Sequence, residues 1–298
     1  SRPTSPAGGG KGRGSAPRQE QGAPRNRSGP PSRAPGKRTA PAAPPTLART
    51  GRELLYGRNA VAEALRGRRP VDRLFLAEGV REDDRLRAIV AAAEARRASI
   101  ERVPRLLLDD ALPGAHHQGV ALEAEPFPYV ELSDLIAAPG VVLVLDHMQD
   151  PQNFGTLLRA AEAAGAAGVV IPQDRAVAVS PAVVNASAGA VEHLRIALVP
   201  NLPRAIEQLK GAGRWAIGLD AVPGAVDLLA ADLPTPAALV VGGEGAGISH
   251  AVRNACDLFA ALPMRGQVAS LNAATAGAIA LYELLRREQA ATGGEVIQ

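Results

Sequence analysis

VVLVLDHMQDPQNFGTLLR, Val141 to Arg159, is the stretch that decides the fold. Its first five residues are all apolar and end at Asp146, so both faces of the strand they form are buried. After the polar turn DHMQDPQN the pattern becomes helical, through TLLR into AAEAAG. A two-sided apolar strand feeding a helix is the repeating unit of a parallel sheet covered on both faces. The unit recurs downstream as GVVIP with SPAVVNASAGA, then LRIALVP with NLPRAIEQLKGAG, then WAIGLD with a short helical piece. ALVVGG follows, and LFAALP leads to a long C-terminal helix. Two helix starts are marked, one by Ser180 before Pro181 and one by Asn201.

Three loops at strand ends carry the polar residues. The first, after Asp146, holds Asn153, Gly155 and Arg159. Gly155 admits a ligand or another backbone. Arg159 either pairs with Glu162 three residues on or serves a site. The second, GGEGAGIS, sets Glu244 among four glycines directly after a buried strand, where a carboxylate is costly unless something meets it. Neither a Walker A loop nor an early GxGxxG is present, and a negative charge opposes phosphate; hydroxyls, an amine or an arginine suit Glu244 better. The third, LPMRGQVASLN (Leu262 to Asn272), enters the last helix with Ser270 as the expected N-cap and Asn272 in the first turn. The Ala/Gly face of that helix (Ala273, Ala276, Gly277, Ala280) is read as a packing face. Loops clustered at strand ends are where open α/β sheets build ligand sites.

Upstream, ELLYGRNAVAEALRG reads as a short helix, VDRLFLAE as a strand, REDDRLRAIVAAAEARRA as a helix and SIERVP as a strand. RLLLDDAL gives another helix and HQGVALEAE a third strand. This makes a small α/β unit over 50–126, a proline-bearing linker over 127–139 and a larger domain over 140–298. Residues 1–49 hold ten Lys/Arg against Glu20 alone, with ten prolines and eight glycines, and are expected to be a disordered basic tail. Such an arm suits salt-sensitive phosphate contacts, or it is a solubilising extension. The other 249 residues carry 23 basic and 29 acidic side chains, so the net charge of +3 conceals an acidic body.

No apolar run of about 18 residues indicates a membrane span, and the start has no secretory signal. The single cysteine, Cys256, excludes an internal disulfide and fits a small hydrophobe in a helix-to-strand connection. Five scattered histidines without metal-ligand spacing give no metal site. These features suit a reducing cytoplasm.

NFGTLLR, GGEGAGIS and LPMRGQVASLN, in this order, resemble the three signature motifs of the SpoU (TrmH-type) RNA ribose 2′-O-methyltransferases. YGRNAVAEAL and HHQGVAL resemble the small substrate-binding domain of the RlmB-like 23S rRNA guanosine enzymes, so about 245 residues are covered. Gln152 stands where histidine or arginine is frequent in the family, and Phe154 where leucine is common. The resemblance implies an α/β fold: a C-terminal SPOUT-type parallel sheet with a deep trefoil knot, preceded by an L30e-like unit. It implies S-adenosylmethionine as cofactor, contacted at Gly242, Leu262 and Leu271, with Glu244, Ser270 and Asn272 shaping that pocket and the acceptor site. Asn153 and Arg159 match the invariant pair of the first motif. RNA as substrate and a homodimer with the site near the subunit interface are implied too. A 23S rRNA guanosine is the expected target, with a tRNA ribose or an antibiotic-resistance rRNA site as alternatives inside the family. Outside catalysis stands a non-catalytic RNA-binding module of the same fold; a dinucleotide oxidoreductase is disfavoured because the glycine loop comes late. Arg159 keeps its proton readily, so holding a phosphate and polarising the hydroxyl suits it as well as a role as base.

Overall fold

A computed structural model describes residues 47–174, 177–245 and 247–291. The basic tail expected over 1–49 therefore lies, up to Thr46, outside the described residues. Its last three residues do not: Leu47 packs against the small sheet, and Arg49 bonds to Glu123 through its backbone N–H at 2.7 Å and its guanidinium at 2.9 Å.

Two sheets organise the described residues. The smaller has the order β1-β4-β2-β3, made from β1 (Glu53–Tyr56), β2 (Val71–Ala77), β3 (Ser99–Val103) and β4 (Val120–Ala124). Helices α1 (Arg58–Arg66), α2 (Asp84–Ala95) and α3 (Arg105–Ala111) connect them. The ELLYGRNAVAEALRG segment is thus not one helix. Glu53–Tyr56 pair antiparallel with β4, and Gly57 (φ 85°) turns the chain from strand into α1. ELLY supplies an edge strand because β4 offers it a ladder, which local helical spacing does not reveal.

The larger sheet has the order β7-β6-β5-β10-β8-β11-β9 and is parallel throughout. Its strands are β5 (Val142–Asp146), β6 (Gly168–Pro172), β7 (Ile196–Val199), β8 (Trp215–Leu219), β9 (Val226–Asp227), β10 (Ala237–Gly242) and β11 (Leu258–Ala261). Along β5, Leu143 and Leu145 enter one core while Val142 and Val144 enter another. β10 divides likewise, with Leu239 and Val241 on one side and Ala238 and Val240 on the other. The first core is closed by α5 (Pro151–Ala163), α6 (Pro181–Ala186) and α9 (Ala273–Ala291), the second by α4 (Leu132–Ile136), α7 (Leu202–Gly211) and α8 (His250–Ala255). This is the two-sided burial that the unbroken apolar strands require. Asn201 caps α7, its side chain accepting from Arg204 N at 2.9 Å, whereas Ser180 stands at the start of α6 without a side-chain bond. The helical piece expected after WAIGLD is a turn and the two-residue β9, which pairs with β11.

Residues 127–139 are packed rather than free. Tyr129 accepts a hydrogen bond from Val179 N at 3.0 Å, Val130 bridges to Ala197, and Leu135 is fully buried. The small sheet is also locked to the large one. Arg69, wholly buried, reaches Glu53 at 2.6 Å and Glu192 at 3.0 Å, and the Phe127 ring covers it. Burial raises the pKa of both carboxylates, against the lowering effect of Arg69. Asn185 donates to Tyr56 O at 3.2 Å across the same seam. No described helix is long and apolar enough to cross a membrane.

Glu123 ties Leu47–Arg52 to the small sheet. Arg73, and then Arg49, hold its carboxyl well below the ordinary value of 4.5 in spite of burial. Since folding favours the ionised form, its stabilisation is complete above that value and shrinks as pH falls below it. Glu123→Gln is expected to lower the melting temperature at pH 7, with the gap to wild type narrowing steadily below about 4.5 in thermal melts. A gap independent of pH would contradict the assignment.

Candidate functional site

The site grows from the C-terminal ends of β5, β10 and β11. Asp146 ends β5 fully buried, hydrogen-bonded to His147 and accepting from Ser249 N at 2.7 Å. It thereby ties the first loop to the far end of the second. β10 runs out at Gly242 and Gly243, and the chain turns back over its own strand end: Gly247 N donates to Gly243 O at 3.1 Å. A Cβ on Gly242 would sit inside the backbone of Gly247 and Ile248, and one on Gly243 inside His147 O. These two glycines are needed for close approach of backbone to backbone.

In the first loop, Asp150 caps α5 by accepting from Asn153 N at 3.0 Å, with Pro151 at the first helical position. Gly155 is spent on packing, since a Cβ there would meet Ser187 N at 2.8 Å. Of the two partners expected for Gly155, the structure supplies the backbone. In the third loop the cap is Asn272 and not Ser270. Asn272 Oδ1 accepts from Ala274 N at 2.9 Å and Thr275 N at 3.2 Å, and α9 begins at Ala273, two residues later than an N-cap at Ser270 requires. Gly277 lies against Leu157, in keeping with a close-packed Ala/Gly face.

One side chain from each loop meets at a single point. Asn153 Nδ2 donates to Glu244 Oε1, and Asn272 Nδ2 donates to Asn153 Oδ1 at 2.9 Å and to Glu244 Oε1 at 3.4 Å. Residues 153, 244 and 272, separated by 91 and 28 positions, close into one polar cluster. It borders a cavity of about 500 Å³ whose walls include Gly242, Glu244, Leu262, Ser270, Leu271 and Asn272. That volume lies in the small-molecule range. Arg159 is not in those walls. It is exposed on α5, six residues beyond Asn153, and makes no hydrogen bond or ion pair among the described residues, including with Glu162.

Two contributors carry no motif of their own. Asp146, a strand end in the sequence, is the buried anchor between loops. Asp220, just after β8, also lines the cavity. Both were signalled by the same pattern, an apolar strand closing in Leu-Asp, in VVLVLD and WAIGLD. Cys256 lies between α8 and β11, partly buried, with its thiol pushed up to about 11 mainly by burial. Among the described residues no group of His, Cys, Asp and Glu is arranged to hold a metal ion.

Known proteins share this architecture. The SpoU rRNA Methylase family model matches residues 140–282, and the model for RNA 2′-O ribose methyltransferase substrate binding matches residues 54–130. A putative TrmH family tRNA/rRNA methyltransferase of Bacillus subtilis is 38% identical over 241 residues, covering 79% of this chain and 96% of that protein. The chain belongs to the SpoU methyltransferase family. An uncharacterized tRNA/rRNA methyltransferase of Synechocystis is 40% identical over 262 residues, covering 84% of this chain and 67% of the other. Among solved structures, the SpoU methyltransferase AviRb from Streptomyces viridochromogenes, in complex with AdoMet, superposes with a TM-score of 0.67 at 27% identity, covering 80% of this chain and 92% of that one. The AdoMet-bound rRNA methyltransferase from Sinorhizobium meliloti gives the same TM-score at 26% identity, with 80% and 88% covered. The protein is therefore an RNA methyltransferase, and its family uses S-adenosylmethionine. The cavity suits that molecule: a glycine turn that exposes backbone groups, apolar walls at Val241 and Leu262, and the Glu244 carboxylate for a cationic ligand.

Asn272 both caps α9 and steadies Glu244. Asn272→Ala is expected to cost about 1 kcal/mol of stability, seen as a small fall in melting temperature. Asn272→Asp should restore the cap yet still impair methyl transfer, because it sets a second carboxylate beside Glu244. Full activity in the aspartate variant would show that the cluster does not matter.

Proposed function

We propose that this enzyme methylates the 2′-hydroxyl of a ribose in rRNA, at a guanosine of 23S rRNA. The observation that carries the reading is the meeting of Asn153, Glu244 and Asn272, one from each loop, at the edge of a glycine-built cavity. The match of residues 54–130 to a substrate-binding model adds a second RNA-directed unit. On this reading residues 50–126 grip the RNA, 127–139 join the two parts, and 140–298 hold donor and acceptor. Residues 1–49 form a basic arm for phosphate contacts.

S-adenosylmethionine, when bound, supplies a methyl group on a positively charged sulfur. The chain's task is then alignment and exclusion of water. Gly242, Leu262 and Leu271 hold the donor through backbone groups and apolar contact. Glu244, Ser270 and Asn272 form the wall between donor and acceptor, and Asn153 fixes the rotamer of Glu244. Arg159 holds a phosphate beside the target nucleotide and polarises its hydroxyl, since a guanidinium keeps its charge.

In a single chain Arg159 faces outward, so the reading includes a homodimer with the sites near the subunit interface. Its support is an apolar surface made by Leu229, Ile279 and Tyr282, which are 50%, 38% and 51% exposed. The trefoil knot belongs to the same proposal. It is favoured by the return of the chain after β11 to the cluster at the end of β10.

Nucleoside mapping of RNA from cells with and without the gene tests the substrate. One 2′-O-methylguanosine should vanish from 23S rRNA; loss from tRNA with rRNA unchanged would overturn the assignment. Arg159→Ala is expected to reduce methylation at least a thousandfold, a loss of about 4 kcal/mol in transition-state stabilisation, while calorimetric binding of S-adenosylmethionine stays near wild type. Normal turnover by that variant would remove Arg159 from the mechanism.

A further inference from the structure

Two carboxylates line the cavity, and the function proposed above uses only Glu244. The other, Asp220, follows β8, with its backbone fixed by a hydrogen bond from its own N–H to Ala260 O at 3.1 Å. Its Oδ2 accepts from Arg253 Nη2 at 2.7 Å. Arg253 is itself held, by Ile248 O at 3.4 Å and by the Phe259 ring at 5.4 Å. Gly247 leaves room beside this pair: a Cβ built there would stand 3.4 Å from Asp220 Oδ2. Among the described residues Oδ1 has no partner, and the side chain is 26% exposed in the cavity wall.

We infer that Asp220 recognises the adenosyl part of the cofactor, its Oδ1 accepting a hydrogen bond from a ribose hydroxyl. This rests on the cavity being the S-adenosylmethionine site. Charge selects the hydroxyl over the cofactor's ammonium. Paired with Arg253, Asp220 belongs to a neutral unit that attracts a cation weakly, yet the lone pairs on Oδ1 remain good acceptors. Position selects it as well. Asp220 adjoins Leu219 in the cavity wall, which also includes Val241 and Leu262, apolar residues suited to the adenine ring. The ribose is the next group along the cofactor, before the sulfur that must face Glu244 and Asn272. A carboxylate at the end of a parallel strand, beside a glycine turn, holds a ribose in other open α/β sheets.

Were Asp220 only a clamp for α8, its removal would loosen the second loop and weaken every ligand alike. Calorimetry on the full chain separates the two roles, using S-adenosylhomocysteine, its 2′-deoxy and 3′-deoxy ribose analogues, and 5′-methylthioadenosine. Wild type is expected to lose about tenfold or more in affinity when one hydroxyl is missing, in line with a hydrogen bond to a charged group. Asp220→Ala should bind S-adenosylhomocysteine about tenfold more weakly and no longer distinguish the deoxy analogue. Arg253→Gln, which opens the clamp but keeps the carboxylate, should keep the discrimination. Undiminished discrimination by Asp220→Ala overturns the inference, as does equal binding of all ribose forms by wild type. A loss confined to S-adenosylhomocysteine and absent for methylthioadenosine would assign Asp220 to the ammonium and also overturn it. Should Asp220→Ala not fold, Asp220→Asn keeps the shape and must show reduced discrimination. Failure of wild type to bind S-adenosylhomocysteine at all would instead reject the cavity as the cofactor site, and the inference with it.

Discussion

The site depends on how β10 ends. Its last residue, Gly242, lies in register with Asp146 on β5, and Val241 with Leu219 on β8, so an aspartate flanks the glycine turn on each side. Each acid captures a later part of the same segment. Asp146 takes Ser249 N, and Asp220 takes Arg253 of α8. A buried carboxylate without such partners would be expensive; here the cost is offset by bonds that also set the return path of the loop. The turn can be tight only because residues 242 and 243 lack side chains. Once it is set, Glu244 is carried to where Asn153 and Asn272 reach it, so the polar cluster is a consequence of the turn.

The second constraint joins recognition to chemistry. Arg69 lies wholly buried between Glu53 of the small sheet and Glu192 beside the large one. A buried arginine with two carboxylates is weak as a source of stability, because desolvation cancels much of the attraction. It is strong as a fastener, since separating the parts would leave charges without partners. The bond from Asn185 to Tyr56 O and the burial of Phe127 act along the same seam. The small sheet and the sheet that carries the cavity are therefore held in one fixed arrangement.

How much of this was legible follows from the range of each signal. Two-sided apolar strands specified the parallel sheet, because burial on both faces writes itself into consecutive residues. The three loops were legible as a set, since each breaks the pattern where a strand ends. Four features were hidden. ELLY is a strand because it pairs with β4, which lies far along the chain and leaves no local trace; Asn272, not Ser270, caps α9 because the third loop runs two residues further before it turns helical. Asp146 and Asp220 gained their roles only from the order in which the strands lie side by side. Arg159 was legible as a motif residue but not as an outward-facing one, for helix rotation over six residues carries it away from Asn153.

Charge is divided across this site in a way that fits two unlike ligands. Among the described residues, the cavity walls hold Asp220 and Glu244 and no lysine, arginine or histidine. With Asp220 neutralised by Arg253, a phosphate-bearing cofactor would meet the like charge of Glu244, whereas a donor with a sulfonium and an ammonium meets compensation there. Arg159 lies outside the cavity, exposed on α5, and on the proposed function it meets the anionic backbone of the RNA. Glu244 lies in the cavity wall, and both amides that touch it donate hydrogen bonds. They hold its side chain still before either ligand arrives. That arrangement suits a reaction in which the protein forms no bond of its own and alignment supplies the rate.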